Sequence, residues 1–164
     1  HHWVVKLMFY EEPAVIPLLL RWPGMLPAGW ADSQRLVSGL DLLPTLCEAA
    51  GATPPEGLDG HSLFSLLSSR DHILHDYVIS ELQPDPERRD LGGRMVVTPR
   101  YKYCAFSEGA RPEVLFDLAV DPGETRNLAA DPTHAAALHE HRSLLQGWMS
   151  LHSDCLALPI LQQG

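Results

Sequence analysis

The sequence predicts an α/β fold, α+β within this stretch of chain, from three observations. A short continuous apolar run, Val15-Ile16-Pro17-Leu18-Leu19-Leu20, has the length of a buried strand and stops at Trp22-Pro23-Gly24. Four short β-type runs then follow two helical patterns and are separated by turn residues, as in an antiparallel meander. A long amphipathic helical pattern comes after them. The lone first strand lacks the neighbours that a sheet apolar on both faces requires. We therefore expect residues 1–70 to be the C-terminal end of a large α/β domain. Residues 71–164 are expected to form a small antiparallel-sheet subdomain with a terminal helix.

Each element has a local reason. Pro17 places the first strand near a sheet edge or an irregularity. Residues 24–34 are rich in Gly, Pro and Ala and read as loop. In Asp41 to Gly51, Asp41 suits the N-cap, Pro44 is tolerated in the first turn, and Gly51 suits the position after the C-cap. Thr53 to Gly57 is a linker, and Ser62 caps a short helix ending at Ser68. The strand runs are Tyr77–Ser80, Arg94–Thr98, Tyr101–Phe106 and Glu113–Leu118. Asp121-Pro122-Gly123-Glu124 is a turn. From Pro132 to Leu151 the apolar spacing predicts one helix, with Leu138, Leu145 and Trp148 turned to the sheet.

Composition narrows the classes. The 164 residues are 45 % hydrophobic and 20 % charged, which is ordinary for a globular chain. A net charge of -9 argues against non-specific nucleic-acid binding, which needs a basic surface. No apolar run reaches the ~18–20 residues that cross a bilayer as a helix. The chain begins His-His-Trp, without Met and without a basic leader, and so reads as cut at its start. Cys47, Cys104 and Cys155 are widely spaced, with no C-x-x-C pair, and are expected to be free thiols.

Three stretches carry a resemblance. The first is HHWVVKLMFYEEPAVIPLLLRWPG, which holds Lys6, one of only two lysines in the chain. The second is VSGLDLLPTLCEAAGATPPEGLDGHSLFSLL, and the third is RMVVTPRYKYCAFSEGARPEVLFDLAVDPGETRNLAAD. Together, over about residues 1–131, they resemble the C-terminal third of the sulfatase family, within the alkaline-phosphatase-like superfamily. Phe116 stands where the family has tyrosine.

The resemblance implies a hydrolase of sulfate esters. Such a site must offset charge on the sulfate oxygens and on the leaving oxygen. A lysine ammonium supplies a compact charge with three donors. In sulfatases the lysine of this motif contacts the sulfate and assists at the leaving oxygen, and Lys6 matches it. The family's preceding histidine falls on His1, with His2 as its neighbour; either would contact substrate or adjust Lys6. The pair is also what a purification tag leaves behind.

The family uses calcium and a formylglycine made from Cys or Ser in a Cys/Ser-x-Pro-x-Arg motif. Here Cys47 precedes Glu-Ala-Ala, Cys104 precedes Ala-Phe-Ser and Cys155 precedes Leu-Ala-Leu. Nucleophile and calcium ligands are thus expected upstream, in a missing N-terminal portion, and this chain alone is expected to be inactive. No metal ligand is assigned within it. The substrate implied is a sulfate ester of a small molecule or sugar. Phosphate has nearly the same shape, so a phosphoester or phosphonate hydrolase of the same superfamily is the alternative enzyme. A non-catalytic association module is the third reading.

The remaining polar groups have plainer readings. Tyr10-Glu11-Glu12 is expected to anchor its loop rather than to act as catalytic acids. His134, His139 and His141 read as the solvated face of the last helix, since i,i+2 side chains diverge. Asp117, Asp121 and Glu124 lack the spacing of a calcium loop and read as turn chemistry.

Overall fold

The computed structural model describes residues 8–68 and 72–162. It divides into two compact units, one formed by residues 1–28 with 79–164 and the other by residues 29–78.

The first unit is built on a four-stranded sheet with strands in chain order: β1 (Val78–Leu82), β2 (Gly93–Val97), β3 (Tyr101–Phe106) and β4 (Glu113–Asp117). β2 pairs antiparallel with β3, Met95 opposite Cys104, and β3 pairs antiparallel with β4, Cys104 opposite Val114. The meander is as the turn residues predict. Side chains alternate faces along a strand, so Lys102, Cys104 and Phe106 share one face of β3 and Tyr103 and Ala105 the other. Nearly every residue of β2 and β3 is nonetheless buried, because both faces are covered.

One cover is the last helix. A 3-10 turn at Pro132–His134, capped by Asp131 accepting from Thr133 N, leads into α4 (Ala135–Leu151). This helix packs on β2 and β3. Leu145 is fully buried, whereas Leu138 and Trp148 stay partly exposed, and Trp148 lies against the His152 ring at 4.7 Å. His141 departs from the expected solvated face and is buried. Its Nε2 sits 3.0 Å from Thr98 Oγ1 and its Nδ1 2.7 Å from Ala137 O, so both ring nitrogens are satisfied and the ring can go inside.

The other cover comes from the N-terminal segment. Phe9 joins Met95 and Cys104 in a core cluster with Ala14, Leu82, Val97, Phe106 and Val114 around it. A Cβ on Gly93 would lie 2.9 Å from both the Phe9 and the Phe106 rings, so only glycine lets Phe9 settle there. The chain then makes a single helical turn, α1 (Glu11–Ala14), ahead of the expected strand. Residues 15–20 carry no strand pairing, and Val15, Ile16 and Leu18 to Leu20 are exposed, Leu19 by 93 %. The expected strand is not formed because a strand is made by its neighbours' hydrogen bonds, and among the described residues none is offered to it.

The second unit holds α2 (Leu42–Ala49) and α3 (Ser65–Ser68), with Leu63, Leu66 and Leu74 as its small core. Gly51 takes φ +67° after the C-cap, as its position predicts. The helix start differs from expectation. The capping side chain is Ser38, which accepts from Leu40 N and opens a 3-10 turn at Gly39–Asp41. Asp41 closes that capping box from the far end, accepting from Ser38 N at 2.7 Å, and makes no cap bond to α2.

Candidate functional site

Lys6, His1 and His2, the residues the sequence nominates, lie outside the described residues. The segment that follows Lys6 is described, and it is held by the other lysine. Lys102 on β3 is fully buried. Its ammonium donates to Phe9 O at 3.1 Å and to the Glu11 carboxylate, and it lies 2.8 Å from Glu124 Oε1. That last contact is an ion pair without hydrogen-bond alignment, since Glu124 Oε1 has no aligned donor. Glu124 Oε2 accepts from Glu11 N at 2.7 Å.

Burying an ammonium is costly unless it is paired and hydrogen-bonded. Three oxygens around Lys102 meet that need. Glu124 is itself buried and sits at φ +52°, a left-handed conformation costing a non-glycine residue about 1–2 kcal/mol. The expected turn at 121–124 supplies this geometry: Glu124 N donates to Asp121 O, and Asp121 accepts from Thr125 N and Arg126 N. Tyr-Glu-Glu thus anchors its segment, with the Tyr10 ring 6.1 Å from Phe116.

The acidic residues read as turn chemistry are each spoken for. Asp117 accepts from Arg100 at 2.7 and 3.0 Å, and the Arg100 hydrogen bond holds its carboxyl below the usual range. On the α4 face, Glu113 accepts from Tyr103 Oη and from Arg142. Burial first, then the Glu113 charge, pushes the Tyr103 hydroxyl well above its ordinary pKa. All three cysteines are free, and burial raises the Cys104 thiol so far that it is inert at neutral pH.

Among the described residues, the second unit also holds a cluster that no sequence motif announces. Asp41, fully buried, accepts from His75 Nε2 at 2.9 and 3.0 Å and from His61 N at 2.8 Å. An ionised carboxylate only accepts, so His75 Nε2 carries the proton in this contact. Asp41, His61 and His75 bring one ligand atom each within 4.8 Å of one another. A cavity of about 610 Å³ opens beside them, lined in part by Pro44, Glu48, His61, Ser65 and His72.

One carboxylate and two imidazoles do not fit calcium, which takes about 6–8 oxygen ligands. The Asp41 oxygens are also already filled by two backbone amides and one imidazole. The carboxylate ties residues 38, 61 and 75 together. No cysteine has the setting of a formylglycine precursor either, so no step of the reaction is assigned to calcium or to formylglycine on these residues. Asp41 was legible only as a cap, because its partners are 20 and 34 residues away in sequence.

A four-stranded antiparallel sheet covered by a long C-terminal helix, with the Phe9–Glu11 segment tied to it, matches the C-terminal part of alkaline-phosphatase-like hydrolases. The chain belongs to the family described as N-sulphoglucosamine sulphohydrolase, C-terminal, whose profile matches residues 1–149. It is 39 % identical over 157 residues to Delta 4,5-hexuronate-2-O-sulfatase of Bacteroides thetaiotaomicron, covering 94 % of this chain and 32 % of that protein. A solved 2-O GAG sulfatase matches 75 % of this chain and 28 % of its own at TM-score 0.62 and 39 % identity. Phosphonate monoester hydrolase of Agrobacterium radiobacter matches at TM-score 0.61 and 28 % identity, over 72 % of this chain and 26 % of its own. The chain thus spans about a third or less of the proteins it resembles.

Proposed function

We propose that this chain is the C-terminal portion of a sulfuric ester hydrolase whose substrate is a sulfate ester of a sugar or small molecule. The observation that carries the reading is the similarity to a named 2-O-sulfatase along 94 % of the chain. In the intact protein Lys6 contacts the sulfate and offsets charge at the leaving oxygen, with His1 or His2 beside it. Residues 1–70 end the large α/β domain, and residues 71–164 form the subdomain at its edge. Formylglycine and calcium come from the upstream portion, the former supplying the nucleophile and the latter charge for the sulfate oxygens.

The test is Lys6→Ala in the full-length protein, assayed on an aryl sulfate. Losing an ammonium aimed at developing charge costs roughly 3–4 kcal/mol, about 10²–10³-fold in kcat. Wild-type turnover in a folded Lys6→Ala protein overturns the role of Lys6. The similarity to a phosphonate monoester hydrolase favours one second reading, phosphoester or phosphonate hydrolysis. A kcat/KM higher for a phosphonate monoester than for the matching sulfate would select it.

A further inference from the structure

We propose that Lys102 is a positioning residue for Lys6: its buried ammonium pins the Phe9–Glu11 turn to the sheet and thereby sets where Lys6 stands against the substrate. The inference rests on the reading of Lys6 given above. Lys102 reaches Phe9 O from 93 residues further along the chain, and it holds Glu11 in the same grip. Glu124 clamps the turn a second time through Glu11 N. The Phe9 ring is wedged beside Gly93 and Phe106, so the turn is fixed by its side chain as well as by its backbone.

Two residues, Leu7 and Met8, stand between Lys6 and Phe9, and three Cα steps span at most about 11 Å even fully extended. The pinned turn is thus the described point of the fold nearest in sequence to Lys6, and it bounds the region from which the Lys6 ammonium can act. A catalytic charge misplaced by about 1 Å loses on the order of 10²-fold in rate. Lys102 also has no second place to go. Leaving the cluster would strand the buried carboxylate of Glu124, so the ammonium stays and the turn has one position.

The test is a mutant cycle in the full-length enzyme, run on sulfate esters with good and poor leaving groups. The variants are Lys6→Ala, Lys102→Met and the double mutant, each checked for a cooperative melt. We expect Lys102→Met to lower kcat by about 10²-fold while KM changes by less than about threefold. The loss should be larger for an alkyl or sugar sulfate than for a nitrophenyl sulfate, because a displaced Lys6 no longer serves the leaving oxygen. The double mutant should be no slower than Lys6→Ala.

Lys102→Met leaves two carboxylates facing each other and can fail to fold. Glu11→Ala then carries the test, since it removes one of the ties between the turn and Lys102, leaves those at Phe9 O and, from Glu124, at Glu11 N, and keeps the Lys102–Glu124 pair. We expect it to lower kcat by about tenfold with the same leaving-group dependence. Full turnover in Lys6→Ala overturns the Lys6 reading and this inference with it. Loss in Lys6→Ala overturns this inference alone if the Lys102→Met or Glu11→Ala loss is absent, equal across leaving groups, or fully additive with Lys6→Ala.

Discussion

Leu145 and Trp148 lie three residues apart on α4 and will not respond alike to truncation. Leu145 is fully buried, so Leu145→Ala should cost about 2–5 kcal/mol. Trp148 is partly exposed and lies against His152, so Trp148→Ala should fall below the ~3–5 kcal/mol of a buried ring. Thermal melts of the two variants check the order; a larger drop for Trp148→Ala would contradict it. Asp41 is the most exacting residue of its unit. Replacing it with alanine strands Ser38 N and His61 N and the His75 ring at once. Each donor left without a partner costs about 1–3 kcal/mol, so Asp41→Ala should destabilise more than Leu145→Ala does.

At the scale of elements, the tie between the β2–β3 turn and the end of β4 carries a pH dependence. Asp117, on β4, is held below the usual carboxylate range by Arg100 and, beyond the opposing effect of burial, by Ala119 N. Its native pKa is thus lower than the unfolded value of about 3.9. The stabilisation is complete above that value and is lost as pH falls through the native one. Asp117→Asn should therefore flatten the loss of stability as pH falls below about 4. A melt series with an unchanged acid slope would rule the pair out as its source. A second element depends on bare backbone. A Cβ on Gly60 would lie 2.1 Å from Leu40 O, so Gly60→Ala must push the 60–61 loop off the 3-10 turn before α2. It should break the Asp41–His61 bond and melt this unit early, read by hydrogen exchange of residues 38–63 against that of the sheet.

At the scale of the molecule, the chain has the motif lysine without a nucleophile of the family's kind. Expressed alone it should hydrolyse no sulfate ester, with or without added calcium. Turnover by the purified monomer would demand a nucleophile within these residues. The exposed run Val15 to Leu20 adds a second expectation. Contiguous exposed apolar residues with unpaired backbone invite association with other chains. Light scattering of the isolated chain should rise with concentration, and Leu19→Glu should reduce it.

The meander, the long helix, the glycine stop at Gly51 and the family are all legible in the amino-acid sequence. These rest on local signals: alternation, helical spacing, turn residues and ordered motifs. The sequence also marked Lys6 as the residue to watch. The rest depends on the folded chain, because the partners that settle it are remote in sequence. His141 is buried because Thr98 satisfies it, and Asp41 became a tie between segments because His61 and His75 come to it. Residues 15–20 read as a strand but are not one, since a strand needs neighbours that periodicity cannot supply. Lys102 stands between two tyrosines in an ordinary strand pattern, and no local feature announces a buried charge. Its role is created by Phe9, Glu11 and Glu124, which the fold brings to it from both sides of the sequence.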